Sequence, residues 1–123
     1  AWSGLTNAEV EEKFGPEEQV LWNERSIRPK KAGWSGSEKE VIAECRSFVA
    51  ELTGKYDDDQ AVLAVSSNGR LRYFLNLIEG EFARRVESGE FKVRTGGVCR
   101  LAHWAGEWEV ACWNLAPGPE VIF

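Results

Sequence analysis

The sequence predicts an α/β fold with a mixed sheet, and three patterns predict it. Apolar residues recur at helical spacing on both sides of the middle of the chain. Between them, Ala61 to Val65 form a short continuous apolar run, which is typical of a parallel strand covered on both faces. After Phe91 the pattern changes to the alternation of an antiparallel hairpin. We therefore expect helices packed around one mixed sheet in a three-layer-like arrangement.

Two short helices are predicted at the start of the chain. Thr6 precedes Glu9 by the spacing of a capping box, so a helix is expected over about 7–14. Gly15 ends that helix, and the proline after it suits the first turn of a second helix over about 16–25. The next residues, "SIRPKKAGWSG", carry Pro and Gly and predict a loop.

A longer helix is predicted over about 38–53. Ser37 and Glu40 repeat the capping-box spacing, and Gly54 is expected to end the helix. Its apolar positions lie on one face: Val41, Ile42, Cys45, Phe48, Val49 and Leu52.

The middle of the chain predicts a strand that leads directly into a helix. The strand is expected over about 61–66, and the helix over about 69–79. The buried stripe of this helix is expected at Leu71, Phe74, Leu75 and Ile78.

The C-terminal part predicts a hairpin with strands over about 97–104 and 107–114, flanking Ala105-Gly106. In a loop of two or four residues, positions that sum to 211 face each other, so Cys99 opposes Cys112 and His103 opposes Trp108. A three-residue loop would shift this register, so the pairing of the two cysteines stays open.

Length and composition restrict the class of protein. A chain of 123 residues is long enough for one core, so we expect a single domain over 1–123. The net charge of −5 argues against sequence-independent nucleic-acid binding, which needs Lys and Arg contacts to phosphate. The basic cluster in "RSIRPKK" is expected to be a surface loop rather than a binding patch.

No apolar run is long enough to span a membrane, and the N-terminal residues do not resemble a signal peptide, so we expect no membrane partner and a cytoplasmic protein. The three cysteines form no CxxC pair and His103 is the only histidine, so neither a metal site nor another cofactor is expected.

The junction between the predicted strand and helix is the candidate site. Backbone N–H groups at a helix N-terminus attract anions, and hydroxyl, amide and guanidinium groups would add donors. Ser, Asn and Gly are also ordinary capping and turn residues, so a purely structural loop is the alternative. The candidate anion-binding residues are Ser66, Ser67, Asn68, Gly69, Arg70 and Arg72.

Several segments resemble the histidine phosphatase (phosphoglycerate-mutase-like) superfamily. "VLAVSSNGRLR" resembles the segment in which a strand leads into Ser/Thr-His-Gly, and "WSGLT" resembles the family's Gly-Leu-Thr segment. "GSEKEVIAECRSFV" resembles its Gly-Glu-Ser helix, with Arg46 as the helix arginine. "GGVCRLAHWAGEWEVACWN" resembles the closing hairpin.

The departures from that resemblance concern catalysis. The family uses a nucleophilic histidine in an Arg-His-Gly motif, which this sequence lacks, and Ser67 stands where the second histidine is expected. His103 lies on the predicted hairpin, where a structural role is expected. The resemblance therefore implies a truncated, non-catalytic domain that binds a phosphate or a phosphorylated small molecule. The alternatives are one half of a composite histidine phosphatase, or a purely structural or interaction module.

The resemblance also predicts self-association. In that family the first strand lies between the strand at 61–66 and the hairpin, and both edges would be unpaired without it. Six tryptophans also suggest more apolar surface than one small core covers, although they could simply pack that core. We expect a homo-oligomer, most simply a dimer.

Overall fold

The computed structural model describes residues 4–30, 32, 34 and 36–118. In this part of the chain, helices and one antiparallel sheet follow each other, so the expected mixture of helix and sheet is confirmed. The elements are α1 (Asn7–Phe14), α2 (Pro16–Arg25), α3 (Glu38–Lys55), α4 (Asn68–Leu71), a 3₁₀ helix (Arg72–Leu77), α5 (Glu81–Ser88), β1 (Val98–Trp104) and β2 (Glu107–Leu115).

The first two helices have the predicted bounds because local signals set them. The Thr6 side chain accepts a hydrogen bond from the Glu9 backbone N–H at 3.2 Å, which caps α1. Gly15 separates α1 from α2 with a φ of 87°, a conformation that favours glycine. Ser26 then ends α2 in the left-handed region and is itself buried.

The α3 helix begins as predicted and ends two residues later. Ser37 and Glu40 form both hydrogen bonds of a capping box. Gly54 lies inside the last turn rather than ending it, and the backbone N–H of Tyr56 closes the helix on the Leu52 carbonyl. A glycine in the last turn costs little, so it does not stop the helix.

The core forms where α3 meets the 3₁₀ helix. Val41 and Cys45 of α3 pack with Tyr73 in one cluster, and four partly buried residues cover it: Trp22, Ile42, Phe74 and Phe82. Leu75 and Phe91 are fully buried.

The helix predicted over about 69–79 is instead α4 followed by the 3₁₀ helix. Of the predicted stripe, Leu75 is fully buried and Phe74 packs partly buried against the core, whereas the other two buried positions, Arg72 and Tyr73, were not predicted. With three residues in each turn, Arg72 and Leu75 lie one above the other, so both enter the core. Tertiary packing thus overrides the 3.6-residue spacing of an α-helix, from which the buried stripe was predicted.

The hairpin has the predicted two-residue loop. Ala105 and Gly106 both have positive φ angles, 54° and 80°, as a tight turn of this kind requires. His103 faces Trp108 and Leu101 faces Val110, as predicted.

Cys99 does not lie opposite Cys112, although a two-residue loop with regular strands would place it there. Register shifts on either side of Arg100 place Arg100 opposite Cys112 instead. Cys99 Sγ accepts a hydrogen bond from the Asn114 backbone N–H at 3.4 Å, and both thiols are free. Irregularities of this kind move every later side chain along the partner strand.

The parallel strand expected over about 61–66 is not formed. Residues 61–67 adopt no helix, strand, turn or bend, and the sheet of the described residues contains only β1 and β2. A strand requires a neighbour for its ladder, and none of the described segments pairs with this run. The three-layer arrangement is therefore not confirmed either.

Among the residues that the structure describes, no helix combines the length and apolar character needed to cross a membrane.

Candidate functional site

The junction at which the loop enters α4, residues 66–70 (the 66–70 loop), contains most of the residues predicted to bind an anion. Ser66, Ser67 and Asn68 are exposed, and Ser67 adopts extended backbone angles as the residue before the helix. Its carbonyl accepts hydrogen bonds from the backbone N–H groups of Arg70 and Leu71, but its side chain makes no capping bond. Within the described residues, the two serine hydroxyls and the Asn68 amide are thus unpaired.

Gly69 permits close packing against an aromatic ring. A Cβ atom added there would lie 3.2 Å from the Trp22 ring, tighter than ordinary contacts. The glycine therefore allows the loop to pack onto Trp22 of α2. The sequence predicted Gly69 as an anion-binding residue instead.

Arg70 lies at the surface in an ion pair. Its Nη1 donates to Glu44 Oε2 at 2.7 Å, and the two side chains are 46% and 61% exposed. The hydrogen bond to Glu44 raises the pKa of Arg70 above its ordinary value. Exposed pairs of this kind contribute little net stability, so an anion can displace Glu44.

Arg72 is turned away from the loop and into the core. Its guanidinium carbon lies 3.8 Å above the Trp22 ring and 5.0 Å from the Phe91 ring, and the residue is 5% exposed. Nη1 donates to the Trp22 carbonyl and to Ser26 Oγ, at 3.2 and 3.3 Å. Burial lowers the pKa of Arg72 from its ordinary value to about 10. The structure therefore gathers residues 66–70 but separates Arg72 from them.

Sequence analysis missed this buried cluster of Arg72 with Trp22, Ser26 and Phe91. Arg72 and Trp22 are 50 residues apart along the chain, so no local spacing predicts the contact. The available signal was weak: a run of aromatic and apolar residues directly follows the arginine, which favours burial of the whole segment.

His103 is held on the outside of the hairpin. Its Nδ1 lies 2.6 Å from Asp58 Oδ1, and its ring centroid lies 4.7 Å from that of Trp108. The side chain is 22% exposed. The contact ties the turn that precedes residue 61 to β1. Groups of three or more His, Cys, Asp or Glu side chains that could hold a metal ion are absent from the described residues.

Arg46, the helix arginine of the resemblance, borders an open depression between α3 and the 3₁₀ helix. Its Nη2 donates to the Asn76 carbonyl at 3.3 Å. The depression has a volume of about 570 Å³. It is lined by Glu38, Lys39, Ile42, Ala43, Arg46 and Asn76, and includes none of the residues of the 66–70 loop.

Comparison with known proteins gives one match. No curated protein and no solved structure matches this chain. A family model, that of the histidine phosphatase superfamily (branch 1), matches residues 1–116. This match covers the α3 segment, the 66–72 segment and the hairpin, the segments on which the resemblance was based. The chain therefore belongs to the histidine phosphatase superfamily.

Proposed function

We propose that this chain acts as a non-catalytic, self-associating module of its superfamily. The observation that carries the proposal is the run of residues 61–66. Val62, Leu63 and Val65 are 46%, 81% and 89% exposed, and the run makes no hydrogen bond within the described part of the chain. An unpaired apolar run is a template for pairing with another chain.

The lack of catalysis is argued from the histidines. A phosphohistidine mechanism needs a nucleophile, and loss of the nucleophile costs about a million-fold in rate in a well-studied hydrolase. The sequence contains no Arg-His-Gly motif, and its single histidine, His103, contacts Asp58 and Trp108. We therefore expect the 123-residue chain alone to give no turnover above background.

Recognition of phosphate is proposed for the 66–70 loop. The exposed hydroxyls of Ser66 and Ser67 and the amide of Asn68 supply neutral donors. Arg70 supplies a charge once phosphate displaces Glu44. Arg72 has no part in this binding, since its guanidinium is enclosed by Trp22 and Phe91.

Turnover and mass test the two main elements of the proposal. A chromogenic phosphomonoester should not be hydrolysed, and hydrolysis that His103→Ala abolishes would contradict the non-catalytic assignment. Light scattering should give twice the mass of 13.8 kDa at high protein concentration. A monomer at every concentration would contradict self-association and favour the alternative of a composite phosphatase, in which a partner polypeptide supplies the nucleophilic histidine.

Calorimetric titration with inorganic phosphate tests the loop. Heat is expected for the wild type and for Arg25→Ala, which removes an exposed arginine of α2. Arg70→Ala should reduce the binding heat strongly. No heat in any of the three proteins would leave the loop with a structural role only.

A further inference from the structure

The two cysteines of the hairpin lie one position out of register. Cys99 of β1 and Cys112 of β2 are half-buried free thiols. Arg100 is the residue that faces Cys112, so Cys99 lies one position further along β1. Burial raises the pKa of the Cys99 thiol, and the neighbouring Cys112 raises it further, so the two side chains are close enough to interact.

One extra residue in β2 keeps these cysteines from facing each other. From the hairpin loop as far as Val110, the two strands pair without a gap. The next pair joins Arg100 to Cys112, so Ala111 has no partner on β1. This is the extra residue of a β-bulge. If Ala111 entered the ladder, the register of the loop would continue and Cys99 would face Cys112.

The aligned register suits a disulfide. Because side chains alternate along a strand, Cys99 would lie on the same face as Leu101, and Cys112 on the same face as Val110. Paired Cα atoms of antiparallel strands lie about 4.5–5.5 Å apart, which is within the range that a disulfide bridges. Ala111 is small and exposed, so its own side chain does not resist the change.

The chemistry requires a two-electron oxidant, and a peroxide is the class that fits two thiols. The thiolate of one cysteine attacks a peroxide oxygen, the O–O bond breaks, and a sulfenic acid and hydroxide form. The thiolate of the other cysteine attacks the sulfenic sulfur, the S–S bond forms, and the S–O bond breaks with loss of a second hydroxide. The protons of the two thiols convert both hydroxides to water, so two thiols are oxidised and one hydrogen peroxide is reduced.

The contacts beyond the bulge depend on the register. The Asn114 backbone N–H donates to Cys99 Sγ at 3.4 Å, and Asn114 Oδ1 accepts from the Arg94 backbone N–H at 2.7 Å. Trp113 Nε1 donates to the Phe91 carbonyl at 3.1 Å. A shift of one residue moves the end of β2 by about 3.4 Å, which is enough to break hydrogen bonds of this kind. The segment before β1 then loses its attachment to β2.

We propose that the hairpin is a redox-sensitive switch of register. Oxidation joins Cys99 to Cys112, Ala111 enters the ladder, and Asn114 releases the segment before β1. Reduction restores the bulge and these contacts. This device goes beyond the proposed function, since it involves neither self-association nor the 66–70 loop.

Thiol counting and peptide mapping test the disulfide. After treatment with hydrogen peroxide and then unfolding, the wild type should keep one of its three thiols, that of Cys45. Trypsin cleaves after Arg100 and separates the other two cysteines, so Cys99 and Cys112 should appear in two linked peptides of one chain. Dithiothreitol should restore all three thiols. Cys45→Ser should form the same link and Cys112→Ser should form none within the chain. Three thiols left after oxidation, or a link through Cys45, would overturn the proposal.

Hydrogen exchange at the Arg94 backbone N–H, followed by NMR, tests the change of register. Loss of one hydrogen bond corresponds to about tenfold, so this group should exchange about tenfold faster in the oxidised wild type than in the reduced one. Asn114→Gly removes the acceptor but accepts the φ of 58° at this position, so it should give the same rise in the reduced protein. Cys112→Ser should exchange equally under both conditions. A disulfide that leaves the Arg94 exchange rate unchanged would overturn the switch of register.

Discussion

Replacement of Arg72 by alanine should destabilise the fold strongly. The side chain contributes two hydrogen bonds from a charged donor, which are long and together contribute about 3 kcal/mol. Contact of the desolvated guanidinium with Trp22 and Phe91 adds about 2 kcal/mol, and the packing of its stem about 2 kcal/mol more.

Burial of the charge opposes these contributions. The fall of the Arg72 pKa from its ordinary value to about 10 corresponds to a penalty of about 3 kcal/mol, which alanine removes. The expected net loss for Arg72→Ala is about 4 kcal/mol, or more than about 10 °C in Tm for a domain of this size. Arg72→Met keeps the stem and removes the charge, so its loss should be about half as large.

Urea unfolding followed by circular dichroism measures these differences. Arg70→Ala is the matched control, because Arg70 lies two positions earlier but is exposed, and its pair with Glu44 should contribute no more than about 0.5 kcal/mol. The reasoning would be refuted if Arg72→Ala were no less stable than Arg70→Ala. In phosphate binding the order of the two variants should be reversed: Arg70→Ala should weaken binding more than Arg72→Ala does.

Three further outcomes are expected. Hydrogen bonds from Arg84, and to a lesser extent from Arg85, lower the pKa of Glu81. The contribution of ionised Glu81 to folding stability is therefore fully present above the ordinary pKa of a glutamate and is lost as the pH falls through the lowered pKa. Glu81→Gln should therefore cost about 0.5–1 kcal/mol by urea unfolding at pH 7 and less at pH 3. Burial raises the pKa of the Cys45 thiol, which is 3% exposed, so a thiol reagent should label it only after unfolding; labelling in the native protein would contradict this. Ala105→Asn should raise stability by about 0.5–1 kcal/mol in thermal unfolding, because alanine at a φ of 54° is strained, and an unchanged Tm would argue against that strain.

Local signals predicted the elements that local contacts determine. The bounds of α1 and α2 follow from Thr6, Gly15 and the proline after it, which act within one turn of chain. The start of α3 follows from its capping box in the same way. The hairpin loop follows from Gly106, which accepts a positive φ angle, while Ala105 adopts one under strain.

Features that depend on distant contacts could not be predicted. Whether Arg72 or Arg70 faces the core depends on the position of Trp22, 50 residues away from Arg72. The shift of Cys99 depends on bulges that the alternation of the sequence does not encode. The strand at 61–66 has the right residues, but a strand also requires a neighbour, and none of the described residues supplies one.

The contacts at the two ends of the 61–66 run have a consequence for association. Asp58 before it is bonded to His103, and Gly69 after it is packed on Trp22. Ordering a backbone residue costs about 1–2 kcal/mol in conformational entropy. Because both ends are held, the run has fewer accessible conformations than a free segment of the same length, so pairing with another strand costs less conformational entropy. Breaking the Asp58 contact should therefore slow association even though neither side chain touches the partner.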